Sequence, residues 1–339
     1  MNKSWMLGPF IRPENENPVI TPKPDSVFDC PMREQPINWE KLHTFNPAAI
    51  VKDGKIHVIY RAEDDTGKMK VGGHTSRLGL ASSEEGIHFE RRSTPIFYPD
   101  DDDQKKAEWD GGCEDPRIVR TEEGEFILLY TQYNRVIPKL AVAISPDLIH
   151  WQKYGSVFSK WSRWRYLPTK SASIVCRIIN GELRAAKIHG KYWMYFGERK
   201  LYLADSPDGI RWTPRKVVHR PRAGYYDSML TEAGPPAVLI EKGVILLYNG
   251  KNHPQKGDPE LAPDTYSVGQ ILFDKSDFGK VIAITEKPCF QPELPFEKTG
   301  QYTAGTTFAE GLVLFRNNWY LYYGCADSFV AVAIADAHQ

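Results

Sequence analysis

Short apolar runs recur along the chain, each broken by a turn carrying Gly or Asn and resumed in a second run that ends in Tyr. Five copies are visible, over residues 48–60, 117–130, 186–195, 237–248 and 312–323. β-Branched and aromatic residues flank turns able to take positive φ, so each copy predicts a β-hairpin. A third run of small and apolar residues follows several of them, at 78–81, 140–144 and 201–204, and leads into a polar turn closed by an aromatic: Phe89, Trp151 and Trp212. Three or four strands per unit, five times over, predict an all-β, five-bladed β-propeller with a central axial pocket. An ordinary β-sandwich is the plainer alternative. No composition break or Gly/Ser linker divides the chain, so residues 1–339 read as a single propeller domain. The proline-bearing N-terminal segment, about residues 1–40, is expected to wrap the outside or to complete a blade.

Composition narrows the class of protein without naming a function. The sequence has 43 basic and 43 acidic residues. That balance argues against a nucleic-acid coat or a polybasic membrane surface, either of which needs a local excess of Lys and Arg. No apolar run approaches the roughly 20 residues of a membrane span. The first residues lack a signal-peptide core, which points to the cytoplasm, or to the periplasm if a leader has been removed. The five cysteines are scattered with no C-x-x-C pair, so they read as buried thiols rather than a disulfide or zinc framework.

Phosphate-cradling, dinucleotide, nucleophile-elbow and H-E-x-x-H motifs are all absent. The nine histidines are dispersed and read as structural. The acidic run at residues 100–103 reads as solvated loop. Polar residues at strand ends are more informative, because the inner strands of a propeller converge on its axis. Candidates are Asn46 before the first hairpin and Arg61, Glu63, Asp64 and Asp65 after it. Glu114, Asp115 and Arg117 open the second hairpin, Glu198 closes the third, Glu232 opens the fourth, and Asp327 closes the fifth. Any one of these alone would pass for a surface residue. Their recurrence around the ring supplies the paired carboxylates that glycosidic cleavage requires.

These residues also carry a family resemblance. Asn46-Pro47-Ala48, Tyr60-Arg61, Glu114-Asp115-Pro116-Arg117, the stretch 187–192, the stretch 206–212, Ala233-Gly234-Pro235 and the stretch 322–327 occur in order, and the set resembles glycoside hydrolase family 130. The resemblance implies a five-bladed propeller acting on manno-oligosaccharides, with no metal or organic cofactor. It implies that Asp115 is the proton donor, directly or through a sugar hydroxyl, and that Asn46, Arg61, Lys187 and Asp327 line the mannose subsite. Asp64 and Arg117 are added as further binding candidates.

Phosphorylases of the family carry Pro-Arg-Lys before the third hairpin's turn and Arg-Pro after its second strand. Here the corresponding stretches read Ala185-Ala186-Lys187 and Phe196-Gly197-Glu198, and a Gly before Ala-Gly-Pro is replaced by Glu232. Two phosphate-gripping arginines are gone and two carboxylates have arrived, which resembles the hydrolase branch associated with β-1,2-linked mannose. The expected activity is therefore an inverting β-mannosidase with Asp115, Glu198 and Glu232 as catalytic residues. A β-mannoside phosphorylase is the alternative, since Arg163 and Arg165 offer phosphate contacts from a loop. A non-catalytic sugar-binding propeller and other five-bladed glycosidase families are more distant rivals.

Overall fold

The polar turns that follow the third strands share one hydrogen-bonding plan. Ser145 Oγ accepts the Leu148 amide at 2.9 Å while Asp147 Oδ1 accepts the His150 amide at 2.8 Å. Ser206 and Asp208 repeat this with Gly209 and Arg211, at 2.9 and 2.8 Å. The closing indoles of Trp151 and Trp212 then donate back to the carbonyls of Leu148 and Gly209. Short side-chain acceptors thus hold each turn closed, and the indole adds a further bond, from a half-buried Trp151 and a fully buried Trp212.

The computed structural model describes residues 5–337; residues 1–4 and 338–339, including most of the stretch read for a leader, lie outside the described residues. It is a five-bladed β-propeller. Blade 1 is formed by His43–Lys52, Lys55–Glu63, Ser76–Ser83 and Glu90–Arg91, and blade 2 by Gly112–Arg120, Phe126–Tyr133, Pro138–Ser145 and Gln152–Ser156. Blade 3 comprises Ala172–Ile179, Tyr192–Phe196, Leu201–Ser206 and Thr213–His219, with Glu182–Ala185 hairpinned onto its first strand. Blade 4 holds Leu230–Ala233, Ala237–Ile240, Gly243–Lys251, Tyr266–Phe273 and Val281–Ile284, and blade 5 holds Thr307–Phe315, Asn318–Cys325 and Phe329–Asp336. Strands within a blade run antiparallel, and short parallel bridges at Ser76–Gly112 and Val175–Ala237 tie neighbouring blades. Apolar side chains fill the spaces between blades, as where Val119, Ile127, Val238 and Leu312 share one buried cluster.

The N-terminal segment supplies the outer edge of blade 5. Ile11 pairs with Ile334 and Ile20 with Val330, while the Asn17 amide both donates to and accepts from Val332 at 2.9 and 2.8 Å. Arg12 fastens the same segment to the buried Glu297 at 2.7 Å.

One hairpin differs from its sequence reading. Residues 186–188 do not form the partner of Tyr192–Phe196; that partner is Ala172–Ile174, which lies before the inserted Glu182–Ala185 strand. The run 186–191 is a tight turn closed by an Ile188–Lys191 bridge. Apolar alternation alone does not distinguish such a turn from a strand.

Three inner strands carry an irregularity at the same level. The register slips between Phe45 and Pro47 in blade 1, between Glu114 and Arg117 in blade 2, and between Ala309 and Gly311 in blade 5. A bulge re-aims the residue it contains and locally bends the strand. Asn46, Asp115 and Glu310 are the residues so re-aimed. Asn46 and Asp115 have positive φ, 49° and 48°, a conformation that Asn and Asp tolerate better than other side chains bearing a Cβ.

Candidate active site

The bulges of blades 1 and 2 bring Asn46 and Asp115 together, and Asn46 Nδ2 donates to Asp115 Oδ1 at 2.8 Å. Arg61, at the cavity end of the second strand of blade 1, spans three carboxylates. Its Nη1 lies 3.0 Å from Asp115, and its Nη2 lies 2.6 Å from Glu63 and 3.0 Å from Glu114. The Phe45 ring packs against the guanidinium, with its centroid 4.6 Å away. On the opposite side, Lys170 Nζ sits 3.6 Å from Asp115 Oδ2, 3.5 Å from Glu232 Oε1 and 4.0 Å from Glu198 Oε1. Ser171 Oγ donates to Glu232.

These groups line a cavity of about 380 Å³, with Tyr133, Tyr266, Tyr302, Phe308, Gln301 and Asp327 among its other walls. Five carboxylates (Glu114, Asp115, Glu198, Glu232 and Asp327) and two cations (Arg61 and Lys170) face it. A larger groove of about 1010 Å³ runs outside, between the N-terminal segment and residues 287–296. Most of its charges are paired, Arg12 with Glu293 and Glu297 and Lys287 with Asp258 and Glu260, and no convergent reactive set forms there among the described residues.

Charge in the cavity is finely divided. Burial would raise the Asp115 carboxyl, but Arg61, Lys170, Arg117 and the Asn46 hydrogen bond outweigh it and hold its pKa well below the usual range. Glu114 moves the other way, to about 7, because its burial and the charge of Asp115 outweigh the attraction of Arg61. Burial also raises Glu232, against Lys170 and with help from Glu198. Asp327 rises to about 6 through burial, opposed by Arg61 and reinforced by Glu63 and Asp115. Burial alone would lower Lys170, yet Glu232, Asp115 and Glu198 keep it well above the ordinary lysine value.

Of the residues singled out from sequence, Asn46, Arg61, Glu114, Asp115, Glu198, Glu232 and Asp327 line this one cavity. Lys187, Asp64, Arg117, Glu63 and Asp65 do not; Glu63 backs Arg61 and Asp65 pairs with Lys41 outside. Lys187 is a correction: it is exposed on the 186–191 turn, its ammonium 5.3 Å from the centroid of the Tyr192 ring. The cation facing the cavity from blade 3 is Lys170, whose irregular surroundings before the first strand gave no periodic signal. Asp64 also lies behind the cavity wall, fully buried against Arg77 and accepting the Thr66 amide at 2.9 Å. Arg117 is buried beneath the floor, where it donates to the carbonyls of Asp115 and Ala233 at 3.0 Å each. Its Nη1 approaches Glu310 Oε1 to 2.7 Å, while Glu310 itself makes no aligned hydrogen bond. Arg163 and Arg165 are exposed on a short helix and do not line the cavity.

A family model described as β-1,4-mannooligosaccharide phosphorylase matches residues 11–339. A 1,2-β-oligomannan phosphorylase from Thermoanaerobacter is 30% identical over 325 residues, which cover 95% of this chain and 96% of that protein. Among solved structures, a glycosyl hydrolase from Bacteroides ovatus superposes with a TM-score of 0.96 at 48% identity, covering 99% of this chain and 96% of that one. Another, described under the heading that the family of mannoside phosphorylases "contains glycoside hydrolases that target beta-1,2 mannosidic linkages in Candida mannan", gives a TM-score of 0.98 at 48% identity, covering 100% and 97%. The chain belongs to glycoside hydrolase family 130, and so stands among glycoside-acting enzymes.

Proposed function

We propose that the protein is an exo-acting β-mannosidase that hydrolyses β-1,2-linked manno-oligosaccharides by a single, inverting displacement. The observation that carries this reading is the Glu198–Glu232–Lys170 cluster opposite Asp115. Phosphate entering there would meet Asp115, Glu198 and Glu232, and both cations facing the cavity are already shared among carboxylates. A dianion close to fixed carboxylates at an effective dielectric near 20 meets repulsion of roughly several kcal/mol. Water meets none, and a buried carboxylate of raised pKa is a competent base toward it.

In this mechanism Asn46, Arg61 and Asp327 hold the terminal mannose. Glu198 and Glu232 orient the attacking water, and Glu232 takes its proton. Lys170 lies 3.6 Å from Asp115 and 3.5 Å from Glu232, so one ammonium ties the acid and the base together across the cavity. Asp115 is ionised in the free site, and a proton held by the Glu114–Asp115 pair sits on Glu114, whose pKa is raised to about 7. Sugar binding must therefore move that proton toward Asp115, from which it reaches the leaving oxygen directly or through a sugar hydroxyl.

The phosphorylase names of the 30% and 28% identical relatives favour the second reading, phosphorolysis. Incubation with β-1,2- and β-1,4-mannobiose, with and without phosphate, separates the two. Free mannose at a phosphate-independent rate supports hydrolysis; mannose 1-phosphate as main product overturns it.

A further inference from the structure

Next to Arg61, the first hairpin and the loop leading into Ser76–Ser83 gather a second set of donor atoms. The strand register places His43 opposite Glu63, and Glu63 opposite Ser76, two residues beyond His74. One donor atom from each of His43, Glu63 and His74 lies within 4.8 Å of the others. We propose that His43, Glu63 and His74 form a divalent-metal site that takes a zinc-like ion.

Four observations converge on it. First, His74 is 4% exposed yet its Nδ1 has no hydrogen-bond partner, an expensive state for a buried ring nitrogen unless something binds it. Second, the His43 ring is already oriented: Nδ1 meets Ser328 Oγ at 3.0 Å, leaving Nε2 as the free ligand atom. A hydrogen bond to the far nitrogen is the usual support of a metal-bound histidine. Third, Glu63 is held from behind by Arg61 at 2.6 Å and from the side by Gln301 Nε2 at 3.1 Å, so its carboxylate is fixed in place. Fourth, the same Gln301 amide leaves its buried Oε1 without a partner, a further oxygen donor beside the cluster.

Two imidazoles and a carboxylate suit zinc and its borderline neighbours better than calcium or magnesium, which prefer all-oxygen shells. Tetrahedral bonds of about 2.0 Å require ligand atoms roughly 3.3 Å apart. Closing the cluster from within 4.8 Å to that spacing asks for shifts on the order of 1 Å, for which the unpartnered His74 ring is the least restrained of the three. Because Glu63 is shared with Arg61, an ion bound here would touch the wall of the sugar cavity from behind. The proposal does not depend on which reaction the cavity performs.

The test is zinc chloride titrated by calorimetry into the full chain after treatment with a chelator. One equivalent is expected to bind per chain. Affinity should fall by roughly 100-fold or more in His74→Ala and in His43→Gln, since loss of even a supporting partner typically costs 10–100-fold. Circular dichroism of each variant guards against loss of fold. Zinc should also raise the melting temperature of the parent chain and not that of His74→Ala. Failure of the parent chain to bind zinc overturns the proposal, as does unchanged affinity in a folded His74→Ala variant.

Discussion

Three carboxylates meet one ammonium at Lys170, and the whole division of labour in the cavity depends on that meeting. Glu232 is 1% exposed, whereas the Glu198 side chain is 36% exposed and open to incoming water. We therefore expect Glu232→Gln to lower kcat by about 100-fold to 10,000-fold, the usual worth of a general base, and Glu198→Gln by less. Equal losses, or losses that track a fall in melting temperature, would mean that the two glutamates only pair with Lys170. Asp115→Asn should cost roughly 100-fold or more in kcat with little change in stability.

Proton storage on Glu114 has a sign that can be checked. Activity that draws on that proton should decline as pH rises through about 7, and Glu114→Gln should lose this limb of the kcat/KM profile. Folding responds in the same window. Glu114 binds a proton more readily folded than unfolded, so its contribution is greatest below about pH 4.5 and is lost on the way to about 7. At this scale the sequence was a good guide where a residue sat next to a readable strand, as Asp115 and Glu232 do. It misled at Lys187, because the cavity's cation comes instead from an aperiodic stretch ending at Lys170. The proximity of His74 to His43 depends on the course of an irregular loop, which no strand pattern specifies.

The bulges act at the scale of the element. Each aims a polar side chain inward, and the one at Asn46 needs space made by the neighbouring blade. Gly324 supplies it at the closure of blades 5 and 1, where a Cβ would stand 2.3 Å from Asn46 Oδ1. Gly324→Ala should displace Asn46 and with it the hydrogen bond to Asp115, raising KM for the mannoside and lowering kcat even if the melting temperature falls only a few degrees. Beneath the same floor, Arg117 reaches the carbonyls of Asp115 and Ala233 and the carboxylate of Glu310, linking three blades. Four of the five hairpins and the polar turns were legible because hydrophobic alternation and local side-chain-to-backbone bonds specify them. The inserted strand Glu182–Ala185 was not: it folds back onto Ala172–Ile179, and the apolar run just after it, 186–188, mimics the strand that in fact comes earlier, at Ala172–Ile174.

At the scale of the molecule, the ring is held shut where Arg12 meets Glu297. The Arg12 side chain is 12% exposed and that of Glu297 fully buried. Arg12→Ala removes the cation from a buried carboxylate that keeps the Tyr323 hydroxyl and the Glu293 and Leu294 amides as donors, so the loss should lie toward the lower end of the about 3–5 kcal/mol typical of a broken buried pair. Urea denaturation should show a lower midpoint of that size, with mannoside KM nearly unchanged in the folded fraction. A stability change within about 0.5 kcal/mol would mean that the segment merely lies against the ring.

Pairing the N-terminal segment with the last strand also governs when activity can arise. Asn17 and Val332 are 315 positions apart. A chain leaving the ribosome can build blades 1 to 4 from near neighbours, but the outer edge of blade 5 can be laid down only after Phe329–Asp336 has emerged. Until then a strand edge stays open and the cavity lacks Asp327 and the wall from blade 5. The slow, long-range step of folding is therefore also the step that completes the site, so truncated or stalled chains should present an exposed, pairing-prone edge and no turnover.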